Sequence, residues 1–201
     1  AKAVGMSQED GRHAGEGTSF REPMQRLALL LLLGLGGPAP AQDGAEIAAL
    51  DVDLDGDGVA ERLALVRGDG PLVDLVVAQD GDVRVRAPGL ATWDGTDETA
   101  PELEAGPDGT VRLLAAGGVE DGFRWREALT FAYLRGAYTV AGFARDWSDP
   151  VTGESGRCTV DLLTGRGRAE RDGEGQRLRT DLAPRPVEVW AEGRTVPPEC
   201  Q

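Results

Sequence analysis

Four acids and two glycines fall within nine residues at Asp53-Leu54-Asp55-Gly56-Asp57-Gly58-Val59-Ala60-Glu61. Their spacing suits one kind of chemistry, the binding of a hard cation. Carboxylates at the first, third and fifth positions, a glycine at the sixth and an acid at the ninth let a tight turn wrap oxygen ligands around one ion, with the Val59 carbonyl as the seventh-position ligand. Gly58 permits the sharp bend. The expected ligand set is Asp53, Asp55, Asp57, Val59 and Glu61, and the expected ion is calcium. A flexible all-oxygen loop suits a larger cation with several protein ligands, whereas magnesium retains its waters. Carboxylates this crowded repel one another unless a cation offsets them. The competing reading is an acidic turn without metal, since Asp-Gly pairs favour turns. A complete EF-hand is excluded: the twelfth position is Ala64 counted from Asp53 and Arg62 counted from Asp51, so the closing bidentate Glu is missing.

Asp-x-Asp-x-Asp-Gly-x-x-Glu running directly into the apolar stretch Leu63-Ala64-Leu65-Val66 resembles the calcium loop of FG-GAP and VCBS-type repeats. The resemblance covers Asp53 to Val66, once. It implies an extracellular β-rich protein, with the loop leading into a strand.

Other chemistry is scarce. The chain has one His, His13, and one Lys, Lys2, and both precede an apolar run that reads as an export signal. Met24-Gln25-Arg26 gives the short basic start, Leu27 to Leu35 the apolar centre, and Ala39-Pro40-Ala41 the small residues for cleavage before Gln42. The run is too short to span a bilayer. Residues 1–23 are polar, Gly-rich and unpatterned, and read as an upstream leader with Met24 as the initiator. Residues 24–41 are then the signal peptide and 42–201 a single β-rich domain, periplasmic or secreted, with no membrane span. No Cys near the cleavage site is available for lipidation.

Cleavage there would take away four acids and four bases, leaving the net charge at −14 and no His or Lys. That excludes Ser-His and Cys-His nucleophile pairs, His-ligated zinc and Schiff-base lysine. An acidic surface without a basic stripe also argues against nucleic acid and anionic membrane surfaces as partners. Carboxylate chemistry remains, so the alternative to a non-catalytic binding or structural module is a hydrolase such as a glycosidase with paired acids. Such an enzyme needs one acid kept neutral by burial. Glu127, in Trp125-Arg126-Glu127-Ala128-Leu129, comes nearest, yet Arg124 and Arg126 flank it. The expected partner of a binding module is an unidentified protein or small ligand. Cys158 and Cys200 are the two cysteines. In an exported chain without Cys-x-x-Cys or an activating base, they are expected to form one disulfide.

These residues must be positioned by strands. Roughly 160 residues suffice for one core, and Gly and Pro punctuate them too often for long helices. Strands are expected at Ile47–Val52, Arg62–Arg67, Leu72–Ala78, Val83–Arg86, Val111–Ala115, Arg124–Leu134, Ala137–Asp146, Arg157–Leu163, Gly167–Arg171 and Val187–Ala191. Tight hairpins are expected at Gln79-Asp80-Gly81-Asp82, Leu134-Arg135-Gly136-Ala137 and Leu163-Thr164-Gly165-Arg166. The stretch from Pro88 to Asp108 reads as irregular. Its Thr92–Glu98 segment has acids for a second cation or a ligand but no fixed metal spacing, which favours a solvated loop. Trp125, Phe131, Tyr133, Phe143 and Trp147 read as core packing, with a sugar-stacking platform as the other use of such a set.

The expected fold is all-β, mainly an antiparallel meander, sandwich-like or resembling part of a propeller. Tyr138-x-Val140-x-Gly142-Phe143 followed by Cys158-x-Val160-Asp161-Leu162-Leu163-Thr164-Gly165-Arg166 resembles small secreted proteobacterial β-proteins of unassigned function. That resemblance, over Leu134 to Arg168, implies the same fold and compartment and no particular activity.

Overall fold

A computed structural model describes residues 44–118, 122–193 and 196–201. The segments read as leader and signal peptide, and the expected domain start at Gln42, lie outside the described residues. Among the described residues the fold is all-β, a single domain of two antiparallel sheets with no closed barrel. Strands β1 (Glu46–Val52), β2 (Glu61–Arg67), β3 (Leu72–Gln79) and β4 (Asp82–Thr92) form the first sheet in chain order. The second runs β11-β10-β9-β8-β7-β6-β5, built from β5 (Glu102–Ala105), β6 (Val111–Gly118), β7 (Arg124–Leu134), β8 (Ala137–Ser148), β9 (Ser155–Asp161), β10 (Arg166–Arg171) and β11 (Glu174–Arg179). The short β12 (Arg185–Pro186) pairs with β8 beyond the end of β9.

Turn chemistry explains the meander. The β3–β4 and β7–β8 hairpins close on Asp80-Gly81 and Arg135-Gly136, whose φ values of 53° and 87°, and 53° and 83°, are those of two-residue turns matched to strand twist. Between them the sheets enclose one apolar cluster, with Leu63, Leu65 and Leu75 from the first and Leu113, Leu129, Phe131 and Val140 from the second. Burial of such side chains contributes about 1.5–3 kcal/mol each.

Register across β6, β7, β8 and β9 arranges the inner face of the second sheet in rows. Leu113, Leu129, Phe143 and Val160 form a fully apolar row. The next is Ala115, Glu127, Arg145 and Cys158, and beyond it lies Gly117, Trp125, Trp147 and Gly156. In this last row each indole lies against the neighbouring glycine. A Cβ on Gly117 would fall 2.6 Å from the Trp125 ring, and one on Gly156 2.5 Å from Trp147. Phe131 and Phe143 are thus core residues, while Trp125, Trp147 and Tyr133 are half-buried.

Two expectations are corrected, and one strand lies where none was expected. Val187–Ala191 is not a strand but most of a helix, α1 (Val187–Gly193), which buries Val187, Trp190 and Ala191. Alternation over five residues also satisfies the i, i+3, i+4 spacing of a helix face, and here packing decides. The stretch from Pro88 to Asp108 is less irregular than expected, since β4 continues to Thr92 and β5 follows. Strand β11 is the addition: Glu-Gly-Gln-Arg-Leu-Arg carries one apolar residue, Leu178, half-buried against the core, and is otherwise exposed.

Candidate metal centre

The loop between β1 and β2 is folded by its own carboxylates. Asp53 accepts the Gly56 N–H at Oδ1 (2.8 Å) and the Gly58 N–H at Oδ2 (3.0 Å). Asp55 accepts the Asp57 N–H (3.0 Å), and Asp57 that of Val59 (2.7 Å). Short polar side chains that bond backbone two residues ahead stabilise tight turns. Gly56 and Gly58 have φ of 78° and 90°, a region costly for residues with a Cβ.

Glu61, the first residue of β2, is wholly buried at 0% exposure. A carboxyl group there requires donors, and it has three. Its Oε2 accepts the Leu54 N–H at 2.7 Å, and its Oε1 accepts the Asp55 N–H at 3.3 Å and the Tyr138 hydroxyl at 3.0 Å. Tyr138 belongs to β8, so Glu61 joins the loop to the opposite sheet. Burial, followed by the bond to Glu61, raises the Tyr138 pKa and keeps the phenol a donor.

Asp53, Asp55 and Glu61 each offer an oxygen, all within 4.8 Å of one another. Among the described residues none of the three forms an ion pair. The Asp57 N–H holds the Asp55 pKa down, but burial and the charges of Glu61, Asp57 and Asp53 outweigh it, and the net shift is upward. Asp57 stands outside this group of three. Its Oδ2 accepts Gln79 Nε2 at 2.9 Å, and the Val59 carbonyl accepts the same amide at 3.4 Å. The Val59 N–H and then Gln79 lower the Asp57 pKa. Gln79 is itself buried at the end of β3 and accepts from Arg84 at 3.1 Å.

Of the five expected ligands, three therefore converge and two are engaged by Gln79. The converging set is all hard oxygen, the donor type that calcium takes. Sequence reasoning missed Tyr138 and Gln79, because each lies far along the chain, 77 and 22 positions from its partner, and neither carries a local motif.

The other flagged residues resolve into ordinary roles. In Thr92–Glu98, Asp94 accepts from the Thr96 N–H, the Thr96 hydroxyl and the Thr99 hydroxyl, which together lower its pKa, the Thr99 bond most. Trp93 donates to the Thr96 carbonyl at 2.7 Å, and the Arg67 guanidinium lies 4.2 Å above its ring. Asp94 is thus satisfied within its own loop. Cys158 and Cys200 form the expected disulfide, with Cα atoms 5.4 Å apart, and it fastens the C-terminal segment to β9. Glu127 lines a small cavity beside β4 and α1. Burial raises its pKa, and Arg145 partly offsets that rise. Among the described residues lining this cavity, Glu127 is the one carboxyl. No helix among the described residues is long and apolar enough to cross a membrane.

No protein-family model matches the chain, and no curated protein or solved structure matches it.

Proposed function

We propose that this chain is a periplasmic or secreted, non-catalytic calcium-binding β-protein that serves as a binding or structural module. The observation that carries the reading is the convergence of Asp53, Asp55 and Glu61 within 4.8 Å, one of them wholly buried and none ion-paired among the described residues. An ion there would take Asp53 and Asp55 from the loop and Glu61 from β2. Gln79 would release Asp57 and the Val59 carbonyl as the loop closes to complete the ligand set. The ion would offset the repulsion among the carboxylates and clamp the loop to the head of β2. Its role is structural, stabilising the fold by mass action. The disulfide accords with an oxidising compartment, and the loop's resemblance to FG-GAP and VCBS repeats accords with the same location.

The hydrolase alternative needs two carboxyls facing one cleft. The cavity at Glu127 supplies one. A more open groove across the far side of the second sheet carries Asp146, Glu170 and Asp172, but Asp146 is exposed and held by Arg157 at 2.6 Å.

Thermal melts in calcium and in chelator test the reading. At calcium about 100 times the dissociation constant, binding adds about 2.7 kcal/mol, or about 5–10 °C in Tm for a domain of this size. The shift should vanish in Asp55→Ala and should be smaller in magnesium. Coincident melts at millimolar calcium would leave the loop an acidic turn.

A further inference from the structure

The row Ala115, Glu127, Arg145, Cys158 marks the place where the core of the second sheet stops being apolar. Glu127 and Arg145 from this row line a cavity of about 190 Å³, walled on its other sides by Leu90 and Ala91 of β4, Ala115 of β6 and Trp190 of α1. Arg145 Nε is buried and has no hydrogen-bond acceptor among the described residues. Among the described residues its guanidinium forms no ion pair, although Glu127 stands directly across the ladder and feels its charge; the Trp125 ring lies 6.0 Å away. A buried donor left without an acceptor is destabilising, and a ligand that supplies the acceptor recovers that loss.

The chemistry of the missing acceptor follows from the donor. The Nε edge of a guanidinium presents two parallel N–H groups that match the two oxygens of a carboxylate. The size of the ligand follows from the walls, since an apolar cavity of about 150 Å³ admits one benzene ring. We propose that this cavity is a binding site for a small monocarboxylate with an aromatic or branched aliphatic body, its carboxylate on the Nε edge of Arg145 and its body against Leu90, Ala115 and Trp190. Glu127, directly across the ladder from Arg145, is the one carboxyl that a carboxylate ligand would meet in the cavity. No other ionisable group is among the described lining residues from β4, β6, β7, β8 or α1. The site is separate from the acidic loop and does not depend on calcium.

Benzoate is the probe. It is titrated into the full chain at neutral pH, with the indole N–H resonances of the four tryptophans as the readout. Saturable shifts are expected at Trp125 and Trp190, which line the cavity. Benzyl alcohol, of the same shape without the charge, should bind at least about tenfold more weakly. Arg145→Leu should weaken benzoate by at least about tenfold and leave benzyl alcohol unchanged, and Glu127→Gln should tighten benzoate by removing the competing negative charge. The comparison of the two probes on the native chain needs no variant, so a variant that fails to fold does not impair the test. The proposal is overturned if benzoate at on the order of 10 mM leaves both indoles unmoved, if the two probes bind equally, or if Arg145→Leu keeps full benzoate affinity.

Discussion

Replacing Tyr138 by Phe deletes one oxygen from the contact between the sheets and leaves the packing otherwise intact. That oxygen is one of three donors to Glu61, which has 0% exposure and so cannot recruit water in its place. Hydrogen bonds to charged groups contribute about 1.5–3 kcal/mol each. Of the two donors that remain, the Leu54 N–H is short at 2.7 Å and the Asp55 N–H is long at 3.3 Å. We therefore expect a loss of about 2 kcal/mol, which lowers Tm by about 4–8 °C for a domain of this size. The assay is urea and thermal unfolding in chelator, so that metal binding does not mask the loss. Tyr133→Phe is the control. Its ring packs on Tyr138 with centroids 5.1 Å apart, but its hydroxyl makes no hydrogen bond among the described residues, so its loss should stay within about 0.5 kcal/mol. In a double-mutant cycle Tyr138→Phe and Glu61→Gln should fall short of additivity by at least about 0.5 kcal/mol. If Tyr138→Phe unfolds within about 0.5 kcal/mol of the native chain, the bond does not hold Glu61 and the account of a carboxylate joining the two sheets is wrong.

Two further outcomes are expected. Removing the disulfide as Cys158→Ser with Cys200→Ser, which opens a loop of 42 positions, should cost up to about 4 kcal/mol; an unchanged unfolding midpoint would show that the C-terminal segment is held by packing alone. Glu127→Gln should alter the pH profile of stability. Because burial raises the folded-state pKa of Glu127 above its ordinary 4.5, the folded chain binds that proton more tightly than the unfolded chain. Native stability should thus decline as pH rises from 4.5 through the folded value, and the variant should lack that decline. Parallel profiles for the two proteins across that window would show that the carboxyl is solvated.

The parts of the fold legible in the sequence are those whose signal is local. Strand β7 begins at Arg124 and ends at Leu134, as its pattern requires, and the turn after it follows from Arg135-Gly136. Strand β11 escaped notice although Asp172-Gly173, at φ of 50° and 85°, repeats the turn chemistry of the other hairpins. Its own residues lack the apolar alternation that marks a strand with a dry face. The site divides in the same way. The loop carboxylates are visible because their spacing is itself the motif. The burial of Glu61, its bond to Tyr138 and the capture of Asp57 by Gln79 arise from tertiary contact between segments that the sequence holds apart. No periodicity within either segment encodes them.

The outermost row of the second sheet bears on how this chain can change over generations. Gly117 and Gly156 have no room for a side chain because Trp125 and Trp147 fill the space a Cβ would take. Each glycine and its facing tryptophan are therefore one unit of variation and not two. A mutation that enlarges position 117 is tolerated only after position 125 has shrunk, and the same holds for 156 and 147. Since the tryptophans also face each other across the ladder, the four sites form a chain of dependencies in which the permissible order of substitutions runs from indole to glycine. The dependence is steric and holds whether or not the strip takes part in any activity.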